Sequence, residues 1–310
     1  MFPRSVPDAP PARADAPDGR VTVAVITRDR CASVLRTLDA LTALPERPPV
    51  IVVDNSTDDA TLLAVRRHPA AVRVLRPGQN TGALGRNLAV QQARTPYVAF
   101  SDDDSWWEPG SLGRAADILD AHPRLGLVAA RTLVGPEGAD DPLNDVLAAS
   151  PLPRDPDLPG PAILGFLGCA CVVRRDAFLA AGGYHPVLFF GGEETLLAYD
   201  LAAGGWGVTY APSLTARHHP EPSHRADRGH LQLRNEVLTL WLRRPVPVAL
   251  KASARLTADA VTGRPAARRA LRGVLTRLPA AIARRRRLPP HVERAARLLD
   301  GPAPRGRGPV

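Results

Sequence analysis

The chain has 310 residues, 45% of them apolar and 23% charged, a usage that excludes wholesale disorder, a collagen-like repeat and a coiled-coil rod. Its longest nearly uncharged apolar stretch, 161–173, falls short of the roughly 20 residues a membrane-spanning helix needs. The net charge of +9 is unevenly spread: residues 1–240 carry −5 and residues 241–310 carry +14, and Lys251 is the only lysine among 40 cationic residues.

Residues 1–20 are rich in Pro, Ala, Asp and Arg and lack an apolar centre. They read as a disordered arm, not a signal peptide, so a cytoplasmic address is expected. From Val21 short β-branched runs alternate with amphipathic segments, the signature of βαβ units and an α/β fold with a parallel sheet. Strands are predicted at 21–27, 50–55, 72–75, 97–104 and 125–134, with helices at 33–44, from a Thr57 or Asp58 cap to His68, up to Ala93, and from Pro109 to Ala121. A Pro- and Asp-rich loop covers 135–160. The run 163–174 is apolar on both faces, as a central strand would be. A helix over 192–203 and strands at 207–211 and 214–218 follow. The tail is helical, broken by Pro245, Pro247, Pro265 and Pro289. Cys31, Cys169 and Cys171 have neither an even count nor CxxC spacing, which argues against a disulfide framework or a structural zinc site. Cys169 and Cys171 are expected on one face of a buried strand.

In an open parallel sheet, ligands bind at the carboxyl ends of the strands. Three such ends are polar here: Thr27-Arg28, Asp54-Asn55 and Asp102-Asp103-Asp104. An acid there can accept hydrogen bonds from a ribose hydroxyl or a base N–H, or simply cap the next helix. Three adjacent carboxylates repel one another and need a cation or solvent. Strand alternation would put Asp102 and Asp104 on one side and Asp103 on the other. A hard divalent ion suits such a DxD run, and a solvated acidic turn is the alternative.

The segments VAVITRDR (23–30), VIVVDNSTDD (50–59), NTGALGRNLAV (80–90), YVAFSDDDSW (97–106), GGY (182–184), FFGGEETLLAYDLAAGGW (189–206) and RHHP (217–220) occur in the order seen in family 2 glycosyltransferases. The resemblance spans residues 21–242 and implies an inverting enzyme of GT-A fold: a Rossmann-like, mostly parallel sheet flanked by helices, followed by a basic helical extension, 243–310. It implies a nucleotide-diphosphate sugar as donor, a hydroxyl acceptor, and Mn²⁺ or Mg²⁺ as cofactor. Thr27, Arg28, Asp54 and Asn55 would hold base and ribose. Asn80, Gly82 and Arg86 would line the donor cleft, with an exposed helix arginine as the alternative for Arg86. Asp102 would touch ribose or sugar, with Asp103 beside it, and Asp104 would bind metal. His218 or His219 would complete the metal shell or touch the diphosphate.

The resemblance also implies a base at the start of the 192–203 helix, where many relatives carry Glu-Asp. This chain has Glu193-Glu194, with Glu194 on the base position. A helix N-terminus lowers a carboxylate's pKa, which weakens a base unless burial opposes it. Leu196 departs from the acid that many relatives place two residues later. Trp106 and Trp107 would form either an aromatic wall for a sugar or part of the core, and Trp206 reads as core.

The stretch 268–297 mixes Leu and Ala with arginines, including Arg284 to Arg287. It would lie on an anionic membrane surface, at the inner face of the plasma membrane, bind nucleic acid, or pack as a solvated helix; nucleic acid is the least favoured. The competing functions are a nucleotidyltransferase, against which the absence of glycines after the first strand argues, and a non-catalytic sugar-nucleotide binder.

Overall fold

The computed structural model describes residues 18–221 and 229–300. Residues 1–17 of the expected arm lie outside them, as do 301–310 of the tail. Asp18 and Arg20 belong to the packed protein: Arg20 bonds Asp18, Asp117 and Asp120 at 2.5–2.9 Å.

Strands β1 (Val21–Thr27), β2 (Val50–Asp54), β3 (Val72–Leu75) and β4 (Tyr97–Asp102) lie parallel in the order β3-β2-β1-β4. Beyond β4 the sheet is mixed. It continues through β8 (Cys171–Arg174), β6 (Leu125–Val134), β9 (Gly207–His218) and β5 (Ser105–Trp107), with β7 (Ala139–Asp140) paired to β6. β8 is antiparallel to both neighbours, whereas β6 and β9 run parallel. The result is an α/β, Rossmann-like sheet covered on both faces.

Coverage on both faces explains why β1 and β2 are apolar almost throughout. Ala24, Ile26, Ile51 and Val53 face one core with α3 (Leu84–Gln92), α6 (Arg175–Ala181) and α7 (Glu194–Ala203). Val23, Val25, Val50 and Val52 face the other with α1 (Cys31–Thr42) and α4 (Ser111–Ala121). α2 (Ala60–Arg67) joins β2 to β3, and α5 (Leu143–Ala148) follows β7.

Several expectations are corrected. The run 163–174 forms a strand only from Cys171; Gly165 and Gly168 sit in irregular backbone. Cys169 therefore lies outside β8, although both it and Cys171 are buried and free. The two strands expected at 207–218 are one, β9, with an irregularity between Ala211 and Thr215. The 135–160 loop contains β7 and α5.

The C-terminal region forms α8 (Gly229–Arg243), α9 (Val246–Val261), α10 (Pro265–Ala283) and α11 (Pro290–Leu299). Its prolines sit mostly at helix starts, where a missing N–H costs nothing: Pro245 is an N-cap, Pro265 and Pro290 open their helices, and Pro247 lies in the first turn of α9. A third core joins Val237, Leu238 and Leu242 of α8 and residues of α9 and α10 to Val187, Leu188 and Leu196. Arg243 binds Asp200 through two bonds of 2.6 and 2.8 Å, and Arg244 binds Glu293 and Asp300. Part of the tail's basicity is therefore structural.

Candidate active site

β4 ends at Asp102 and the chain turns through Asp103 and Asp104 into β5, which crosses to pair antiparallel with β9. Ser105 lies opposite His218 in that pairing, so Asp104 arrives beside the end of β9. His218 Nε2 is 3.6 Å from Asp104 Oδ1, and the Asp104 carbonyl accepts a 2.8 Å bond from the His219 N–H.

The turn replaces the simple alternation expected for the acids. Asp103 and Asp104 share one cation, Arg30, whose Nη1 is 2.9 Å from Asp104 and also bonds Asp103. Asp103 further accepts 2.9 Å from the Thr27 hydroxyl. Asp102 points elsewhere, to Arg86. Burial raises the Asp103 pKa to about 7; Arg30 opposes this and Asp104 adds to it.

Asp54 is fully buried, with Oδ1 taking the Ser56 N–H at 2.9 Å and Oδ2 buried without a partner. Asn55 is turned into structure: its Oδ1 accepts the N–H and hydroxyl of Thr81 at 2.9 and 2.7 Å. Asn80 caps Gly82 N–H at 3.0 Å. Arg28 stays on the surface beside Asp29.

Arg86 is not an exposed helix arginine; it is 2% exposed. Besides Asp102 it lies 5.8 Å from the Phe100 ring centre and 5.6 Å from that of Tyr184, with Nε unpartnered. It meets the glutamates across Gly168. A Cβ on Gly168 would fall 2.8 Å from Glu194 Oε1, 3.5 Å from Arg86 Nη2 and 3.5 Å from the Tyr184 hydroxyl. A side chain at this position would displace the Glu194 carboxylate from that convergence.

Glu193 caps α7 and is buried with Oε2 unpartnered; Glu194 is half-buried at the first helical position. Burial, then repulsion by Glu194, raises Glu193 to about pKa 8. Burial also raises Glu194, against hydrogen bonds from the backbone of Glu194 and Gly168 and the charge of Arg86. Desolvation thus outweighs the helix terminus.

The segment before the pair is clamped from two sides. Phe189 has φ +70°, and its carbonyl accepts 2.8 Å from Ala83 N–H. A Cβ on Gly82, itself at φ +57°, would lie 2.5 Å from that oxygen. From α8, Asn235 donates to the carbonyls of Phe190 (3.0 Å) and Gly191 (2.6 Å), and Arg234 donates to that of Leu188 (2.7 Å). Leu196 is buried in the core shared with α8, which accounts for the apolar residue at that position.

Trp107 is core at 1% exposure, whereas Trp106 lies 4.5 Å from the His219 ring and Trp206 packs partly buried. His218 Nδ1 and His219 Nε2 are buried without partners. Among the described residues no three His, Cys, Asp or Glu side chains form a metal site. Asp104 and His218 make a pair, which suits a cation that takes one or two protein ligands and fills its shell from phosphate and water. Sequence reasoning missed Arg30, Gly168, Arg234 and Asn235. An arginine at the α1 N-cap, where Ser, Thr, Asp or Asn is usual, and a glycine inside an apolar run were signals for the first two.

Three solved glycosyltransferases share the fold. A mannosyltransferase from Pyrobaculum calidifontis, in complex with GDP-Man and Mn²⁺, is 22% identical with TM-score 0.57, covering 93% of this chain and 90% of that one. GalNAc-T7 with UDP, GalNAc and Mn²⁺ is 14% identical with TM-score 0.56, covering 72% of this chain and 47% of that one. TarS of S. aureus is 18% identical with TM-score 0.51, covering 72% and 40%. The chain thus spans under half the length of the last two. No curated protein matches the sequence. The model of glycosyl transferase family 2 matches residues 22–180, about half of the chain, and with the GT-A-type sheet this places the protein in that family.

Proposed function

We propose that the protein is an inverting glycosyltransferase that moves a sugar from a nucleotide diphosphate to an acceptor hydroxyl. One observation carries the reading: Asp102 of the acidic run and Glu194 of the glutamate pair meet at a single buried guanidinium, Arg86, with Asp102 bound to it and Glu194 beside it across Gly168. Donor-side and acceptor-side groups then share one centre. Two of the solved neighbours hold UDP with Mn²⁺ or GDP-Man with Mn²⁺, which supports a nucleotide-sugar donor and a divalent ion.

Asp54 Oδ2, buried and unpartnered at the end of β2, suits a base N–H or ribose hydroxyl. Thr27 and Asn55 support that wall indirectly, by holding Asp103 and Thr81. Asp104 and His218 would hold the divalent ion, which supplies charge stabilisation to the departing diphosphate; His219, tilted against the Trp106 ring, flanks it. Glu194 takes the proton of the acceptor hydroxyl as its oxygen bonds to the anomeric carbon and the bond from that carbon to the diphosphate oxygen breaks. A base must not be too weak, and the upward push of burial on Glu194 meets that need. Glu193 and Arg86 set its charge environment. Residues 21–242 form the transferase domain in this reading, and 243–310 the extension.

Thermal shift across UDP-, GDP- and TDP-sugars, with and without Mn²⁺, tests it on the wild type and Asp104→Ala. Metal-dependent stabilisation by one nucleotide class, lost in the variant, is expected. No stabilisation by any donor would overturn it. Glu194→Gln separates a catalyst, which loses turnover and keeps donor, from a mere binder.

A further inference from the structure

We infer that α10 and the strap after it form a docking face for an anionic lipid bilayer. From Ala260 to Val292 the sequence has nine arginines and no Asp or Glu. On α10, Ala267, Ala270, Val274 and Ala281 are buried and Leu271 packs against the third core, whereas Leu275 is 60% and Ile282 50% exposed. The two exposed side chains, seven residues apart, share one face of the helix.

Positions 268, 272, 275, 279 and 282 follow one another along a single helix face. That face carries Arg268, Arg272, Leu275, Pro279 and Ile282, all exposed, and the strap continues it with Arg284, Arg286 and Arg287. Some tail arginines are structural: Arg285 donates to the carbonyls of Trp241 and Arg244, and Arg268 to that of Ala260. Arg272, Arg284 and Arg287 pair with no acid among the described residues, and Arg286, 70% exposed, has Asp200 only at 4.0 Å. The strap also borders two cavities of about 310 Å³ that share Arg243, Arg287 and Leu288. Trp206 and Arg286 line the first.

Exposed Leu and Ile set among unpaired arginines match the acyl boundary and phosphates of an anionic leaflet. Duplex nucleic acid would use the arginines but leaves the two apolar side chains unexplained.

The test is co-sedimentation of the full chain with vesicles of phosphatidylcholine, and of phosphatidylcholine mixed with an equal part of phosphatidylglycerol. Binding to the anionic vesicles alone is expected. It should weaken more than about tenfold in Arg272→Glu/Arg284→Glu/Arg286→Glu, and measurably in Leu275→Ser/Ile282→Ser. All five positions are exposed, and unchanged melting confirms that the variants fold. No binding to anionic vesicles, binding that the apolar variant leaves intact, or tighter binding to duplex DNA overturns the inference. The readout is independent of sugar transfer, so it stands or falls apart from the proposed activity.

Discussion

The acidic run after β4 sends Asp102 to Arg86, and the glutamate pair opening α7 brings Glu194 near it across Gly168, yet the surroundings of the two clusters differ. Asp102, Asp103 and Asp104 each touch an arginine, Arg86 or Arg30. Glu193 and Glu194 form no ion pair among the described residues, and burial pushes both pKa values up. A carboxylate meant to hold a cation is best kept charged, whereas one that accepts a proton needs a higher pKa. Arginines contact one cluster directly and not the other, although burial still raises the Asp103 pKa to about 7 against the pull of Arg30.

Breaking the comparison at the base has the largest expected effect. Glu194→Gln should lower kcat by about 10²- to 10⁴-fold while calorimetry shows unchanged donor binding; equal loss of both would put Glu194 in the donor site instead. Arg30→Met strips the cation from Asp103 and Asp104 and should destabilise the fold by ~3–5 kcal/mol in urea unfolding, with Mn²⁺ restoring part of the loss. If Mn²⁺ restores nothing, Arg30 is not standing where a metal's charge would act.

Asn235→Ala removes the clamp on Phe190 and Gly191. It should cost about tenfold in kcat, or ~1.4 kcal/mol, with donor KM unchanged, because the clamp orients the glutamates and touches no donor-side acid. A change confined to melting temperature would make Asn235 purely structural.

The smallest effect is the most diagnostic. Glu193 has its pKa raised to about 8 in the folded chain, so its stabilising contribution is complete below about pH 4.5 and is lost as pH rises through 8. Glu193→Gln should therefore melt higher than wild type under alkaline conditions, with the gap closing in acid. At acidic pH Glu193 is already uncharged, so the amide replaces a neutral carboxyl and the acid limb of kcat should stay in place. A limb that moves to lower pH would mean that Glu193 carries charge while Glu194 titrates.

Much of the sheet was legible because its strands are written as short, largely apolar runs: the buried β1, the half-exposed β3 and the mostly buried β6 have the expected limits. The run 163–174 misled for the same reason, since an apolar segment buried as irregular backbone has the composition of a strand. Arg86 could be placed in the cleft from its motif, but not its burial, because its partners Asp102 and Tyr184 come from other elements. The charge of +14 over 241–310 is a sum that says nothing of placement, and Arg243 and Arg244 within it are buried tethers.

The sequence by itself determined the α/β class, the polar strand ends and the ordered motifs of the family, because these depend on local periodicity and on residue types at fixed spacing. Only the tertiary structure decided which acid meets which arginine, that His218 comes to Asp104 while His219 packs against the Trp106 ring, and that α8 holds the segment before Glu193. Those pairings join residues far apart in the chain, and they are set by strand order, by the turn at Asp103 and by desolvation.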